Sequence, residues 1–195
     1  MFFSCIGSMT ARYCKKHFPA NWMHLSTTVN GKALWFQIHR MCMCSTWFLA
    51  TTSVVLMVLR KGVAPLQFDR IKKNPHSLLG LMTVTFTFIQ PILAYFRPPP
   101  DSDKRPKFNT THGMIGHTTV FLALVTIFLS TSLNGANLQS GAEIVSSLSI
   151  LFLVQCHLIM TVASDKKVSL GYIFSILGFI AYTIAFLFML CNIQS

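Results

Sequence analysis

The sequence has few charged residues, and acidic residues are the scarcest among them. Only 11% of its 195 residues are charged, and aspartate and glutamate together number 5. Soluble domains usually carry about 25% charged residues. Hydrophobic residues make up 52% of the chain, and the mean hydropathy is +0.55. This composition is typical of a membrane protein.

The sequence also lacks the short motifs that mark common enzyme classes. It contains no Gly-rich phosphate loop, nucleophile elbow, HExxH or Walker-type motif. Its 6 cysteines form no CxxC pair and no extracellular disulfide framework. The function therefore has to be sought in other residues.

Long apolar runs dominate the remaining sequence. Five runs without Asp, Glu, Lys or Arg cover residues 41–59, 77–96, 113–133, 144–163 and 168–191. A membrane-spanning helix needs about 20 such residues. We therefore expect an all-α, polytopic membrane helix bundle with five full transmembrane helices, at about 34–59, 76–97, 108–133, 142–163 and 168–192. The proline-rich hinge at 98–107 is expected to be non-helical.

The apolar N-terminal segment is too short to span a membrane. Residues 1–11 would extend about 16 Å as a helix, against a hydrocarbon core of about 30 Å. Its basic residues follow the apolar stretch, whereas those of a signal peptide precede it. We expect the remnant of an N-terminal helix in a truncated chain. The expected domains are this remnant with a polar connector (1–33), a helical core (34–165) and an additional C-terminal transmembrane helix (166–195).

The formal net charge of +11 does not indicate nucleic-acid binding, because the basic residues lie between the apolar runs. Assigned to the two sides of a lipid bilayer, eleven lysines and arginines fall on one side and five on the other. The positive-inside rule makes the side with eleven cytoplasmic. The helices that begin near 34 and 108 then run in the same direction, and the helix that begins near 76 runs oppositely.

Three histidines each begin a row of mostly small or polar residues, read at spacings of four and three along a helix. His39 is followed by Met43, Thr46, Ala50 and Ser53; His76 by Gly80, Thr83, Thr87 and Gln90; and His112 by Gly116, Thr119, Ala123 and Thr126. A polar stripe facing hydrocarbon is costly, so each row is expected to face protein or a cofactor.

The predicted topology places His39 and His112 at the same depth near the cytoplasmic face, and His76 near the opposite face. Two histidines on facing helices can bind a haem iron from both sides, and small residues leave room for the macrocycle. A bis-histidine iron has no open coordination position, which predicts electron transfer. One alternative is that these histidines lie at the membrane interface and reach lipid headgroups. Another is a zinc site, which is less favoured because no carboxylate or thiolate joins the pair of histidines.

Gln90 lies toward the cytoplasmic end of the His76 row, and Arg97 continues the row beyond it. Arg97 is a candidate partner for a haem propionate or an anionic reductant. Four other cations are candidates for the same role: Arg40, Lys32, Arg12 and Arg105. The alternative is that all of these are ordinary positive-inside charges. Of the other histidines, His117 is expected to point away from the His112 row, and His157 is expected to be packed or hydrogen-bonded within the bundle.

Four segments together resemble the cytochrome b561 domain of the DOMON-containing ferric-chelate reductases, also called the stromal cell-derived receptor type. They are WFQIHRM (35–41), NPHSLLG (74–80), IQPILAYFRPP (89–99) and RPKFNTTHGMIG (105–116). The resemblance covers about residues 7–165. It implies a transmembrane carrier with two haem b groups, which takes electrons from ascorbate or another cytosolic reductant to ferric iron or monodehydroascorbate on the other side.

The resemblance also implies roles for the three histidines. His39 and His112 match the ligands of the cytoplasmic-side haem, and His76 matches one ligand of the other. The partner of His76 would lie upstream of Met1, so we expect one complete bis-histidine site, a second site lacking one ligand, and impaired electron transfer. The alternative is a non-catalytic integral membrane protein that acts through assembly. The plasma membrane, an endomembrane and a homodimer are all compatible with the sequence.

Overall fold

The structure is a computed structural model that describes residues 2–14, 28–29, 32–63, 67–131, 142–162 and 165–191. Within these ranges, the side chains at 28, 29, 32, 70, 72, 142, 143, 162, 165–169, 186 and 189–191 are outside the description. The elements in chain order are α1 (Phe2–Tyr13), β1 (Thr28–Val29), β2 (Lys32–Ala33), α2 (Leu34–Lys61), α3 (Phe68–Lys73), α4 (Pro75–Tyr95), α5 (Arg105–Thr131), α6 (Ala142–Val162) and α7 (Asp165–Cys191).

The predicted all-α class is confirmed. The only strands in the described part of the chain are β1 and β2, which form one short antiparallel pair. Four of the described helical segments are long and apolar enough to cross a membrane: α2, α4, α5 and the Ile144–Thr161 part of α6. The fifth predicted span falls on α7, where Leu170–Ala185 is a shorter apolar stretch. The count of five spans stays a prediction.

The helices on either side of the hinge differ from the sequence expectation. α4 ends at Tyr95 because three prolines follow at 98–100, and a residue before proline avoids helical backbone angles. Arg97 thus lies beyond the helix and does not extend its polar row. α5 begins at Arg105, so a non-helical backbone up to residue 107 was a wrong expectation. Pro106 occupies the first turn, where its missing N–H breaks no hydrogen bond.

The start of α4 is encoded locally in the sequence Asn-Pro-His. The Asn74 side chain caps the helix by accepting hydrogen bonds from the backbone N–H groups of His76 (3.0 Å) and Ser77 (3.4 Å). Pro75 occupies the first helical position, which suits its fixed backbone angle. This cap places His76 in the first turn of α4.

The chain divides into two compact units, Met1–Thr46 with Thr131–Ser195, and Trp47–Ser130. In the first unit, α1 packs against α6 and α7. The Thr10 hydroxyl donates to the Ile6 carbonyl oxygen at 2.7 Å, and the Tyr172 hydroxyl lies 2.5 Å from the same Thr10 oxygen. Because the only Thr10 proton is already used, Tyr172 is the donor in that contact. The short N-terminal segment is therefore a buried part of this unit.

Two glycines of α7 allow it to approach α6 closely. A Cβ atom at Gly178 would lie 1.9 Å from Cζ of Phe152, and one at Gly171 would lie 3.0 Å from Sδ of Met160. The Phe152 ring is itself packed against three aromatic rings of α7, those of Phe174, Phe179 and Tyr182. Close packing at small residues is a common way to join helices in lipid.

We expect Gly178→Ala to destabilise the chain, because the added methyl group overlaps a ring that is held on several sides. The expected loss is about 1–3 kcal/mol, measured by thermal unfolding in detergent. Gly113→Ala is the matched control, since a Cβ at that helical glycine meets no described atom within 4 Å. Equal unfolding temperatures for the two variants would contradict the packing described.

Candidate functional site

In the second unit, the ring of His76 is hydrogen-bonded across the helix pair formed by α4 and α5. Its Nδ1 atom lies 3.0 Å from the carbonyl oxygen of Thr126. A carbonyl oxygen carries no proton, so Nδ1–H is the donor. In the neutral imidazole, Nε2 then carries the lone pair. Metal-binding histidines are commonly held in this way, with one ring nitrogen on a carbonyl and the other available as the ligand.

The opposite end of the same helix pair is joined by Gln90. Its side-chain Nε2 donates to the carbonyl oxygen of His112 at 3.1 Å. Gln90 lies 14 residues after His76, and Thr126 lies 14 residues after His112, so the two contacts are symmetrically placed. The helices are therefore antiparallel, with the two histidines at opposite ends. At 1.5 Å per residue, the contacts lie about 21 Å apart along the helix axes.

A glycine one turn after each of these histidines allows the two helices to meet. A Cβ atom at Gly80 would lie 3.5 Å from Cγ2 of Thr126, and one at Gly116 would lie 3.5 Å from Nε2 of Gln90. A single methyl group would make ordinary contacts at either position, whereas a larger side chain would push the helices apart. The small residues in the predicted rows thus serve helix packing within this unit.

The imidazole of His112 packs against an aromatic neighbour. The Phe108 ring lies one turn earlier on α5 and stacks on the imidazole, with ring centroids 5.4 Å apart and planes inclined by 12°. The Nδ1 atom of His112 is buried. Together with the bond from Gln90 to its carbonyl oxygen, this stack restrains both the backbone and the ring of His112.

His39 lies in the first compact unit, on α2. Its Nδ1 atom is 2.9 Å from the carbonyl oxygen of Gly7 on α1, so it is again the donor, and Nε2 again carries the lone pair of the neutral ring. A Cβ atom at Gly7 would lie 2.6 Å from Cε of Met43 and 2.9 Å from Cβ of Cys42. Glycine is thus needed for α1 to approach α2. His39 and His112 belong to different units, and their pairing stays a prediction.

The cations predicted to bind an anion are placed as follows. Arg97 is half-buried beyond the end of α4; burial lowers the pKa of its guanidinium, and the positive charge of Arg105 lowers that pKa further. Arg105 donates from Nη1 to the Pro98 carbonyl oxygen and, at 3.2 Å, from Nε to Oδ1 of Asn109. The hinge therefore holds two neighbouring guanidinium groups.

The other three candidate cations lie in the first unit. Arg12 is exposed on α1. Arg40 is exposed on α2, directly after His39. Lys32 lies in β2, and its side chain is outside the described part of the chain.

Two further histidines make hydrogen bonds within the units. The Nδ1 atom of the exposed His117 donates to the Gly113 carbonyl oxygen of its own helix at 2.6 Å. The Nδ1 atom of His157 lies 3.0 Å from the hydroxyl oxygen of Tyr13. The prediction that His157 is packed or hydrogen-bonded within the bundle is confirmed.

Sequence reasoning did not identify three groups that contact the histidines. Gly7 and Thr126 contribute main-chain carbonyl oxygens, which every residue possesses, so side-chain patterns do not reveal them. Phe108 had a detectable signal, because residues four apart share one helix face and an aromatic ring there reaches His112.

Comparison with known proteins finds relatives but no matching family model and no matching solved structure. Ferric-chelate reductase 1 of Homo sapiens is 33% identical over 136 residues, which are 70% of this chain and 21% of that protein. Ferric-chelate reductase 1 of Mus musculus is 36% identical over 109 residues, 56% of this chain and 18% of that protein. A cytochrome b561 and DOMON domain-containing protein of Arabidopsis thaliana is 24% identical over 123 residues, 63% of this chain and 27% of that protein. The chain thus spans about a quarter or less of the length of these relatives.

We expect Gln90→Leu to weaken the α4–α5 pair, because it removes the bond to the His112 carbonyl oxygen while keeping a side chain of similar size. Hydrogen bonds between transmembrane helices contribute about 0.6 kcal/mol on average, so the loss of stability should be of that order. Thr85→Val is the control, since Thr85 is exposed and its hydroxyl donates to the Leu81 carbonyl oxygen of its own helix at 2.9 Å. A loss of stability no larger than that of the control would show that the hydrogen bond from Gln90 to the His112 carbonyl oxygen contributes nothing.

Proposed function

Because this chain belongs to the cytochrome b561 family of ferric-chelate reductases, we propose that it carries electrons across a membrane on haem b. The electrons would pass from a cytosolic reductant such as ascorbate toward an extracytoplasmic acceptor such as ferric iron or monodehydroascorbate. The protein would work as an integral, multi-pass protein of the plasma membrane or an endomembrane. Electron transfer is the part of this proposal that the relatives' names support.

One observation carries the proposal: two histidines of the predicted ligand set are held as haem ligands generally are. Nδ1 of His39 donates to the Gly7 carbonyl oxygen, and Nδ1 of His76 donates to the Thr126 carbonyl oxygen. Each bond selects the tautomer whose Nε2 atom can bind iron, and it also limits rotation of the ring. Imidazoles serving only to reach lipid headgroups would not need partners on neighbouring helices.

The donor set fits haem b, whose iron is commonly held by histidine nitrogens. His39 and His112 would hold the cytoplasmic-side group, and His76 would help to hold a group toward the other face. When bound, haem b supplies a reversible one-electron redox couple. The protein's own contribution is to hold neutral imidazoles at a fixed orientation and to keep small residues beside them.

The cationic hinge suits an anionic reductant. Arg97 is partly withdrawn from solvent, which lowers the pKa of its guanidinium, and the nearby positive charge of Arg105 lowers that pKa further. A negatively charged molecule between or beside them would relieve this repulsion, and guanidinium groups bind enolates and carboxylates through paired N–H donors. We include Arg40 and Lys32 as further cations for the same anion.

The central test is the reduced-minus-oxidised absorption spectrum of the purified chain. We expect a sharp haem b band that is lost in His39→Ala and in His112→Ala, because each removes an axial ligand. His117→Ala is the matched control and should keep the band, since that exposed ring bonds within its own helix. A colourless wild-type protein, or a band that survives both ligand variants, would overturn the proposal. A colourless protein would favour a non-catalytic relative that acts through assembly.

The role of Arg97 is tested by the rate at which ascorbate reduces the haem-loaded chain. A charge-assisted hydrogen bond contributes about 1.5–3 kcal/mol, so Arg97→Gln should slow reduction about tenfold or more. Lys104→Gln removes an exposed cation of the same hinge and should have little effect. If both variants are reduced at the wild-type rate, Arg97 does not bind the reductant, and its charge acts only in orienting the chain in the membrane.

A further inference from the structure

Phe108 connects the cationic hinge to a predicted haem ligand within the first two turns of α5. Its ring stacks on the His112 imidazole at a centroid distance of 5.4 Å and an interplanar angle of 12°. The guanidinium carbon of Arg105 lies 5.9 Å from the centroid of the same ring. The spacings of three and four residues place all three side chains on one side of the helix.

The groups on both sides of Phe108 are themselves restrained. Arg105 is bonded to the Pro98 carbonyl oxygen and to the Asn109 side chain, and a cation near an aromatic face is attracted by the ring quadrupole. His112 has its carbonyl oxygen bound by Gln90 of α4. The phenyl ring therefore has the guanidinium of Arg105 and the imidazole of His112 as neighbours, and both of these residues are hydrogen-bonded elsewhere.

Packing against Phe108 restricts rotation of the His112 imidazole. The torsion that turns a histidine ring about its Cβ–Cγ bond has broad minima, so the backbone alone does not set the ring plane. The rings of His39 and His76 are held by a hydrogen bond from Nδ1 to a carbonyl oxygen of another helix. For His112, the nearly parallel phenyl ring provides an orienting surface.

We propose that Phe108 is a positioning residue that sets the plane of the His112 imidazole and thereby the electronic state of the iron which His112 binds. This proposal rests on the proposed haem function. The plane of an axial imidazole determines how its π orbitals overlap the iron d orbitals, so a rotated ring changes the magnetic anisotropy and the reduction potential of the same haem. Ring orientation by neighbouring groups is a general means of tuning a metal ligand.

The first experiment needs no haem. In the full chain with isotope-labelled histidine, the His112 resonances are assigned by their loss in His112→Ala. A stacked phenyl ring shields the imidazole protons, so Phe108→Leu should move them downfield. Phe108→Met, of similar bulk, should do the same, and Phe108→Tyr should restore them. Phe121→Leu is the control, because Phe121 lies on the same helix and is 64% exposed.

The second experiment uses the haem-loaded chain. We expect the low-spin ferric signal in electron paramagnetic resonance and the midpoint potential to change in Phe108→Leu and Phe108→Met, with haem content unchanged. The ferric signal and the midpoint potential should both return to wild-type values in Phe108→Tyr and should stay at those values in Phe121→Leu.

Two results would overturn the positioning role of Phe108. One is that the His112 protons do not move in the leucine and methionine variants. The other is that they move while the signal and the potential stay constant, which would mean that Phe108 only packs. A wild-type chain that binds no haem but shows the proton shift would instead overturn the proposed function and leave the stack itself established.

Discussion

A polar side chain on a helix in lipid has to find its hydrogen-bond partner in protein, and this constraint determines how α4 and α5 are paired. His76 bonds to α5 at one end of the pair, and Gln90 bonds to it at the other. Sliding one helix along the other would break both bonds at once. Gly80 and Gly116 lie beside these contacts, where a side chain larger than a methyl group would push the helices apart. Helix register and direction therefore follow from the placement of two polar side chains.

Bonds of this kind also select the tautomer of two histidines. A bond from Nδ1 to a carbonyl oxygen stabilises the folded chain, and it simultaneously leaves the lone pair on Nε2. His76 and His39 share this arrangement, with the acceptors provided by Thr126 and Gly7. Neither ring needs an acidic partner to select its tautomer. This fits a chain in which carboxylates are scarce and main-chain carbonyl oxygens are the acceptors at hand within its apolar helices.

The hinge shows how local backbone preferences place charge. The prolines at 98–100 end α4 at Tyr95, so Arg97 lies beyond the helix. Pro106 is compatible with the first turn of α5, which starts at Arg105. Two guanidinium groups thereby come close together, one of them next to the aromatic ring that stacks on His112. The positive-inside rule would explain Arg105 by topology alone, yet its guanidinium lies near the ring that stacks on a predicted ligand.

The sequence alone determined the membrane class, four of the predicted helical spans and the histidines at the heads of their polar rows, because run length and helical periodicity are local properties. It misplaced the ends of the hinge, and it did not reveal the acceptors for His39 and His76 or the stack on His112. Those features depend on which backbones approach each other. Carbonyl oxygens are the same at every residue, so only the tertiary structure decides which of them a side chain meets.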